Sequence, residues 1–502
     1  MRGVVAAGHP ATAEAGAAVL RDGGNAVDAA VAAVLMSFVA ESPLTGPGAG
    51  GFMLVHTAGG EDHLLDFFVV APGRGLDGVE PSALVPIDVH FSKEAVQVFN
   101  VGPSSCGVYG TPAGLCEALD RFGTASLASL AAEPARAARE GIELTPMGAT
   151  FLEILGPILT STPECAAIYA PEGRLLRAGE RVRFPEVADL LDRLGAEGPA
   201  FLYTGDVAVA VSDWVLERGG LVTRDDLAGY SVVEREPVRV AYHGREVLTN
   251  PPPSSGGILI AYSLHLLERL DRRDVRTLVE VMDETNRART DEFVQGLHSE
   301  GYLERFLAKE ALESAASRLG STTHVAVLDA EGACVSVTCS NGSCSGVVVP
   351  GTGVHMNNML GEEDLNPGGF HRHEPGRRIP SMMSPTVVLR EGRPQIALGS
   401  AGSNRIRSAI LQTIVRVVDE GMPAEDAVAA PRVHWEGRAV EAEPGIDEEA
   451  LAAFERDGWP VQRFGAPSLY FGGVQAVARD PSTGELSGGG DPRRGGAAVV
   501  VD

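Results

Sequence analysis

Residues 320–329, with the sequence GSTTHVAVLD, constrain this chain more than any other stretch. A loop of small residues leads into an apolar run with the β-branched character of a buried strand. DAEG follows as a turn signal, and residues 333–340 form a second apolar run, so we predict a hairpin. Thr322 and Thr323 stand at its mouth. Their hydroxyls either cap the strand or supply a nucleophile that frees its own amine by self-cleavage and uses that amine as general base.

Length and charge limit the possible functions. The 502 residues allow a large core and two to four domains. Formal net charge is −26, which argues against nucleic acid and anionic membrane surfaces as partners. The apolar run at residues 29–39 is far shorter than the ~20 residues of a membrane span. The first ten residues are broken too early by glycine and proline for a signal peptide, so we expect a cytoplasmic protein unless an export signal has been removed.

The sequence predicts neither a cofactor nor a metal site. It contains no CxxC pair and no GxxxxGK[ST] phosphate-binding loop. His324, His371 and His373 lack carboxylate or cysteine companions at ligand spacing, so we expect no bound metal. The six cysteines predict buried thiols, because a chain of this size needs no disulfide framework.

The order of predicted elements indicates the fold class. Two Ala-rich helices are predicted within residues 11–38, and a glycine-rich loop at 42–51 runs into a buried strand. Residues 110–235 are predicted to be mainly helical, a further helix is predicted at residues 258–269, and more helix from residue 275 to roughly residue 316. Strands return with the hairpin. This order predicts one shared core in which stacked antiparallel sheets lie between helical layers.

A second feature follows the strand predicted at residues 395–398. The sequence GSAGS leads from this strand into a helix predicted at residues 406–420, and Gly402 and Ser403 lie in the turn. Strand-to-helix turns of this kind can point backbone N–H groups at one spot, where an oxyanion is held. The alternative is an ordinary connection between two elements, and the turn alone leaves both interpretations open.

Eight short motifs, spread over nearly the whole chain, carry a resemblance to a known family. In chain order they are GGNAVDAA (23–30), GGF (50–52), DLAGY (226–230), PPSSGG (252–257), TTH (322–324), NN (357–358), SPT (384–386) and DPR (491–493). Together they resemble the γ-glutamyltranspeptidase family of N-terminal nucleophile (Ntn) hydrolases. So many motifs in one order make the resemblance specific and favour the nucleophile interpretation.

The resemblance implies an α+β fold, the four-layer αββα Ntn-hydrolase sandwich, made as one precursor that cuts itself between Ser321 and Thr322. The large subunit would span residues 1–321 and the small subunit 322–502, and the two would share one core. The product would be an enzyme of acyl transfer or hydrolysis that acts on a small-molecule substrate. Whether one subunit pair or a dimer of pairs forms stays open.

The resemblance also implies catalytic roles. Thr322 Oγ1 would attack an acyl carbonyl, and its new α-amine, with a reference pKa of ~7.7–8.0, would carry the proton. The backbone N–H groups of Gly402 and Ser403 match a Gly-Gly pair that holds the oxyanion. Ser340 falls where the family places a threonine hydroxyl that supports the nucleophile. Asn341 is the candidate for a supporting asparagine, although the chain is shorter there and offers no gap-free match.

The departures from the family pattern concern substrate recognition. Phe68 stands where members that act on glutathione have an arginine for the α-carboxylate, and a phenyl ring cannot form that bidentate bond. Ser381 and Met382 replace a serine pair, and Met359 replaces a glutamine. Glu362 keeps an acid suited to an α-amine. The pocket is therefore expected to be more apolar.

We therefore expect a threonine-nucleophile hydrolase or transferase whose pocket differs from that for glutathione-type γ-glutamyl compounds. Candidate substrates are another amide, such as an acylated amine, or a C–C bond of the kind cleaved by relatives in antibiotic pathways that make alkylproline units. A non-catalytic binding protein is the remaining alternative. Arg405, Arg377 and Arg378 are candidates for a new carboxylate contact, which would restore a glutamyl substrate.

Overall fold

The computed structural model describes residues 2–90, 96–299, 301–307, 322–366 and 368–502. The strands are β1 (Gly3–Ala7), β2 (Gly50–His56), β3 (Asp62–Phe67), β4 (Val85–His90), β5 (Val96–Val101), β6 (Ile142–Glu143), β7 (Arg181–Val182), β8 (Val233–Arg235), β9 (Val238–Tyr242), β10 (Arg245–Thr249), β11 (Thr323–Asp329), β12 (Cys334–Ser340), β13 (Val348–Val349), β14 (Val354–His355), β15 (Thr386–Arg390), β16 (Arg393–Ala401), β17 (Val433–Trp435), β18 (Val440–Ala442), β19 (Val461–Arg463), β20 (Gly473–Arg479), β21 (Leu486–Gly490) and β22 (Ala497–Val501).

The α-helices cover the sheets and fill the middle of the chain. They are α1 (Pro10–Arg21), α2 (Ala26–Ala40), α3 (Thr111–Phe122), α4 (Leu127–Glu140), α5 (Pro146–Leu159), α6 (Pro163–Tyr169), α7 (Pro185–Glu197), α8 (Ala200–Tyr203), α9 (Asp206–Glu217), α10 (Arg224–Ala228), α11 (Gly256–Glu268), α12 (Val275–Arg287), α13 (Asp291–Gly296), α14 (Tyr302–Leu307), α15 (Arg405–Val418), α16 (Ala424–Ala429) and α17 (Glu448–Arg456).

Two antiparallel sheets stack to form the core. The larger has the strand order β22-β1-β11-β12-β2-β3-β8, and the smaller has the order β21-β20-β16-β15-β10-β9. The predicted hairpin is confirmed as β11 and β12, with Thr323 opposite Cys339. It lies at the centre of the larger sheet, so its first residues are positioned by paired strands on both sides.

Alternate residues of β11 face opposite layers. Val325 and Val327 pack in one cluster with the alanines of α1 and α2. Ala326 and Leu328 pack in a second cluster with residues of the smaller sheet, whose outer side carries α11 and α15. Both faces of the strand are therefore buried, which explains its continuous apolar sequence. The layering confirms the predicted αββα sandwich.

Most predicted helices are confirmed, with one difference. Asn25 caps α2 through a reciprocal capping box, as the Gly-Gly-Asn sequence indicates. Residues 110–235 are mainly helical, from α3 to α10. The helix predicted to run on from residue 275 is interrupted, because α12 ends at Arg287 and the Thr290 side chain caps a new helix, α13. The part of that prediction beyond residue 307 lies outside the described residues.

Two further expectations concern cysteines and membranes. All six cysteines are buried and unpaired, as expected. In the described part of the chain, every helix is too short or too polar to cross a lipid bilayer.

Candidate active site

Thr322 lies where β11 begins, beside the end of β12. Its Oγ1 is 3.4 Å from Ser340 Oγ. Ser340 Oγ in turn accepts a hydrogen bond of 2.9 Å from the backbone N–H of Gly342. The two hydroxyls meet because the hairpin pairs its first residues with its last. The structure thus places the predicted nucleophile and its predicted supporting hydroxyl together.

One cavity beside Thr322, which we call the acyl cavity, gathers most of the predicted substrate-binding residues. Phe68 is buried there and stacks on Phe52, with ring centroids 5.3 Å apart. Phe68 therefore forms a fixed wall in this cavity. The residues that line it with Thr322 are Phe68, Ser340, Met359, Glu362, Asp364, Leu365, Ser381, Met382, Met383, Ser403 and Ile406.

Two buried carboxyl groups stand in this wall. Glu362 Oε1 accepts a hydrogen bond of 2.9 Å from the backbone N–H of Ser343, and Asp364 Oδ2 accepts one of 2.6 Å from the Ser403 hydroxyl. Burial, with the nearby charge of Asp364, raises the pKa of Glu362 well above its ordinary value, and burial also raises the pKa of Asp364. Because two ionised carboxylates repel each other, each of these groups disfavours ionisation of the other.

The turn between β16 and α15 has the predicted strand–turn–helix form, with a strand that extends to Ala401. Gly402 has φ of 116°, and a Cβ there would lie 2.9 Å from Cα of Gly472, so only glycine fits. Ser403 has φ of 51°, an uncommon value for a residue with a side chain. Ala401 lines one cavity and Ser403 another, and Thr322 lines both, so the turn adjoins both cavities, although Gly402 itself lines neither.

A second cavity, which we call the amine cavity, also contains Thr322. Glu41, at the end of α2, accepts hydrogen bonds from the hydroxyls of Thr12, at 2.8 Å, and Thr323. Burial raises the pKa of the Glu41 carboxyl to about 7. The bond to Thr323 anchors the residue after Thr322 to the helical layer. The lining residues are Gly8, His9, Ala40, Glu41, Ser42, Leu44, Leu144, Thr145, Met147, Gly148, Phe151, Thr322, Thr323, His324, Ala401, Gly473, Gln475 and Arg494.

Of the three arginines predicted as new carboxylate contacts, Arg377 is exposed and lines neither cavity, and Arg405 and Arg378 have other partners. The Arg405 guanidinium lies 4.2 Å over the Tyr470 ring, donates to the Tyr470 hydroxyl and lies 3.5 Å from Glu436. Arg378 forms an ion pair of 3.0 Å with Asp66 and donates to three backbone carbonyls. Neither side chain lines the acyl cavity or the amine cavity.

Of the other predicted residues, Asn341 lies off both cavities, whereas His324 lines the amine cavity. Asn341 Nδ2 is 3.4 Å from the carbonyl oxygen of His355, and the Asn341 side chain lines neither cavity. His324 Nδ1 is 2.8 Å from Thr338 Oγ1, and burial lowers the His324 pKa to about 3, so the ring is neutral. Ser321, the residue before the predicted cut, lies outside the described residues.

Sequence reasoning missed three charged residues of the site. Glu41 directly follows a predicted helix, Asp364 follows Glu362 by two positions, and Arg494 follows the DPR motif. Their positions beside recognised motifs are the only signal that the sequence offers. Their placement depends on contacts between segments that are far apart in the chain.

The chain is similar in sequence to one protein family and to several characterised proteins. A family model described as Gamma-glutamyltranspeptidase matches residues 12–501. The chain is 34% identical over 528 residues to the Acylase ACY 1 proenzyme of Pseudomonas sp. (strain SE83), covering 100% of this chain and 94% of that protein. It is 30% identical over 551 residues to the Glutathione hydrolase proenzyme of Bacillus subtilis (strain 168), covering 100% and 92%.

A solved structure shares the whole fold. The crystal structure of cephalosporin acylase from Bacillus halodurans superposes with a TM-score of 0.85 at 27% identity, and the match covers 100% of this chain and 96% of that one. The similarity therefore extends over the whole chain.

Proposed function

Since the chain belongs to the γ-glutamyltranspeptidase family of Ntn hydrolases, an enzyme family that hydrolyses or transfers acyl groups, we propose that it is an autoprocessing acylase with Thr322 as its nucleophile. Its preferred substrate is an amine acylated by an apolar group. The relatives reported above are named acylase or glutathione hydrolase. The residues of the acyl cavity favour an acylase over a glutathione hydrolase.

Maturation would cut the chain between Ser321 and Thr322. The large subunit, residues 1–321, and the small subunit, residues 322–502, would then remain together. In the larger sheet, β11 and β12 of the small subunit are hydrogen-bonded between β1 and β2 of the large one, and β22 pairs with the other edge of β1. Separation would break ladders inside a buried sheet, so the cut exposes the Thr322 amine without releasing a subunit.

The proposed catalytic cycle uses the hydroxyl and new α-amine of Thr322 and the backbone of the turn at Gly402 and Ser403. Oγ1 attacks the amide carbonyl while the α-amine takes its proton, and the N–H groups of Gly402 and Ser403 stabilise the oxyanion, at ~3–4 kcal/mol for each donor. The tetrahedral species collapses as the protonated amine passes its proton to the departing amine. Water then attacks the acyl-threonine ester by the same route, releasing the acid and restoring the Thr322 hydroxyl and amine.

The apolar residues in the wall of the acyl cavity are the single observation that carries the substrate assignment. Phe68, Met359 and Met382 all line it with Thr322. Among the described residues that line the acyl cavity, none is a lysine or an arginine. A γ-glutamyl α-carboxylate buried there would be unpaired, at a cost of several kcal/mol. An alkyl or aryl acyl group instead gains free energy on leaving water.

A comparison of anilide substrates tests the proposal. Purified protein is assayed with the p-nitroanilides of hexanoic, phenylacetic and γ-glutamic acids, with Thr322→Ala as the inactive control. We expect the two apolar anilides to be hydrolysed with kcat/KM at least tenfold above that of the γ-glutamyl compound. Robust turnover of the γ-glutamyl anilide above the other two would refute the assigned specificity.

A further inference from the structure

Arg494 is a buried cation at Thr322 that the proposed reaction does not use. It lines the amine cavity and is only 7% exposed. Its Nη2 donates to the carbonyl of Leu469 at 3.3 Å, while Nε and Nη1 are buried and have no hydrogen-bond partner in the described parts of the chain. Over the same residues, no carboxylate lies within ion-pair distance of Arg494.

Two glycines fix the path of this side chain. A Cβ at Gly473 would lie 2.2 Å from Arg494 Cδ, so the arginine stem runs directly over the bare glycine. A Cβ at Gly402 would lie 3.6 Å from Arg494 Nη2. The guanidinium therefore sits beside the turn at Gly402, on the amine-cavity side.

The neighbouring ionisable groups leave the charge of Arg494 uncompensated. Asp491 is nearby but is held by Arg432 at 2.7 Å and Arg493 at 3.2 Å. The other ionisable side chains of the amine cavity are Glu41, tied to two hydroxyls, and two histidines whose pKa values are lowered by burial.

Burial lowers the pKa of Arg494 to about 10, which still leaves it charged at neutral pH. The guanidinium also lies 5.7 Å over the Phe151 ring, but a buried charge without an ionic partner is costly, and an anionic ligand would lower that cost.

We propose that Arg494 binds a carboxylate on the amine part of the substrate. This inference rests on the proposed function: with the acyl group in the acyl cavity, the departing amine lies on the other side of Thr322, in the amine cavity. The substrate class is then an acylated amine with a carboxylate close to its amide nitrogen, as in an N-acyl amino acid. The planar guanidinium suits this role because it can donate two parallel hydrogen bonds to a carboxylate.

A matched pair of non-hydrolysable probes tests the inference directly. N-(hexylsulfonyl)glycine and N-(hexylsulfonyl)glycinamide differ only in the carboxylate, and calorimetry gives their Kd values with processed wild-type enzyme. We expect the glycine compound to bind 10- to 100-fold more tightly, the range typical of hydrogen bonds between charged groups. Arg494→Met should abolish this preference. Arg494→Lys should keep part of it, and Arg494→Gln is a second neutral variant should the methionine variant fail to process.

Arg416→Met is the matched control. Arg416 is also largely buried, its pKa is also lowered to about 10, and it donates to backbone carbonyls, but it lines neither cavity. We expect this variant to keep the carboxylate preference. Equal affinity of the two probes for the wild type, no binding of either at millimolar concentration, or a preference that survives in Arg494→Met and Arg494→Gln would overturn the inference.

Hydrolysis of N-hexanoylglycine, measured in parallel, separates this inference from the proposed function. Carboxylate-selective binding without hydrolysis would refute the acylase and leave the Arg494 site intact. Hydrolysis that depends on Thr322, with equal probe affinities, would support the acylase and reject the Arg494 site.

Discussion

Replacing Gly402 by alanine should disable the proposed oxyanion donors. At φ of 116°, a residue with a side chain is strained by roughly 1–3 kcal/mol, and its Cβ would lie 2.9 Å from Cα of Gly472, a backbone atom that cannot turn aside. The turn must therefore move. Loss of one aligned N–H donor costs ~3–4 kcal/mol of transition-state stabilisation, so we expect kcat to fall about 10²- to 10³-fold.

The assay is hydrolysis of hexanoyl p-nitroanilide, with each rate divided by the amount of processed small subunit from intact mass. Gly421→Ala is the matched control: Gly421 also has a positive φ, 68°, but a Cβ there meets nothing within 4 Å. The Gly421→Ala variant should lose about 1 kcal/mol of stability and keep kcat within twofold of the wild-type value. A Gly402→Ala enzyme that retains kcat within threefold of wild type would refute the oxyanion assignment.

Three further predictions follow from the site. Burial raises the folded-state pKa of Glu41 to about 7, so ionisation of Glu41 destabilises the folded protein progressively above pH ~4.5, by at most about 3 kcal/mol above pH 7. Glu41→Gln should therefore raise the Tm measured by calorimetry at pH 8.5 but not at pH 4.5. An equal shift of Tm at both pH values would contradict this prediction. If the acyl chain packs beside Phe68, kcat/KM should rise about fourfold for each methylene added from butanoyl to hexanoyl anilide. A kcat/KM that does not change with chain length would count against an apolar cavity. Ser340→Ala should lower kcat about tenfold and Ser340→Thr should retain it; equal loss in both variants would assign Ser340 a purely structural role.

The hairpin at the centre of the fold could be predicted because its signal is local. Alternating valines and a four-residue turn specify two paired strands without reference to the rest of the chain. The family motifs then located the acyl-cavity wall, and Phe68, Met359 and Met382 do lie together there.

The partners that the charged side chains contact could not be predicted in the same way. Arg405 was a candidate for substrate binding, but Tyr470, 65 residues later, holds its guanidinium. Glu41 meets Thr323 across 282 residues, and Arg494 reaches the Gly402 turn from near the end of the chain. These contacts follow from tertiary packing, and no local pattern encodes which partner a charged side chain will find.

The mass of the denatured, freshly purified protein shows whether Thr322 activates itself by cleavage. We expect two fragments in the wild type, of residues 1–321 and 322–502, and one intact chain in Thr322→Ala. Sequencing of the smaller fragment should begin at Thr322. An uncut wild-type chain that stays uncut on long incubation, or a cut that persists in Thr322→Ala, would contradict the assignment of Thr322 as the self-activating nucleophile.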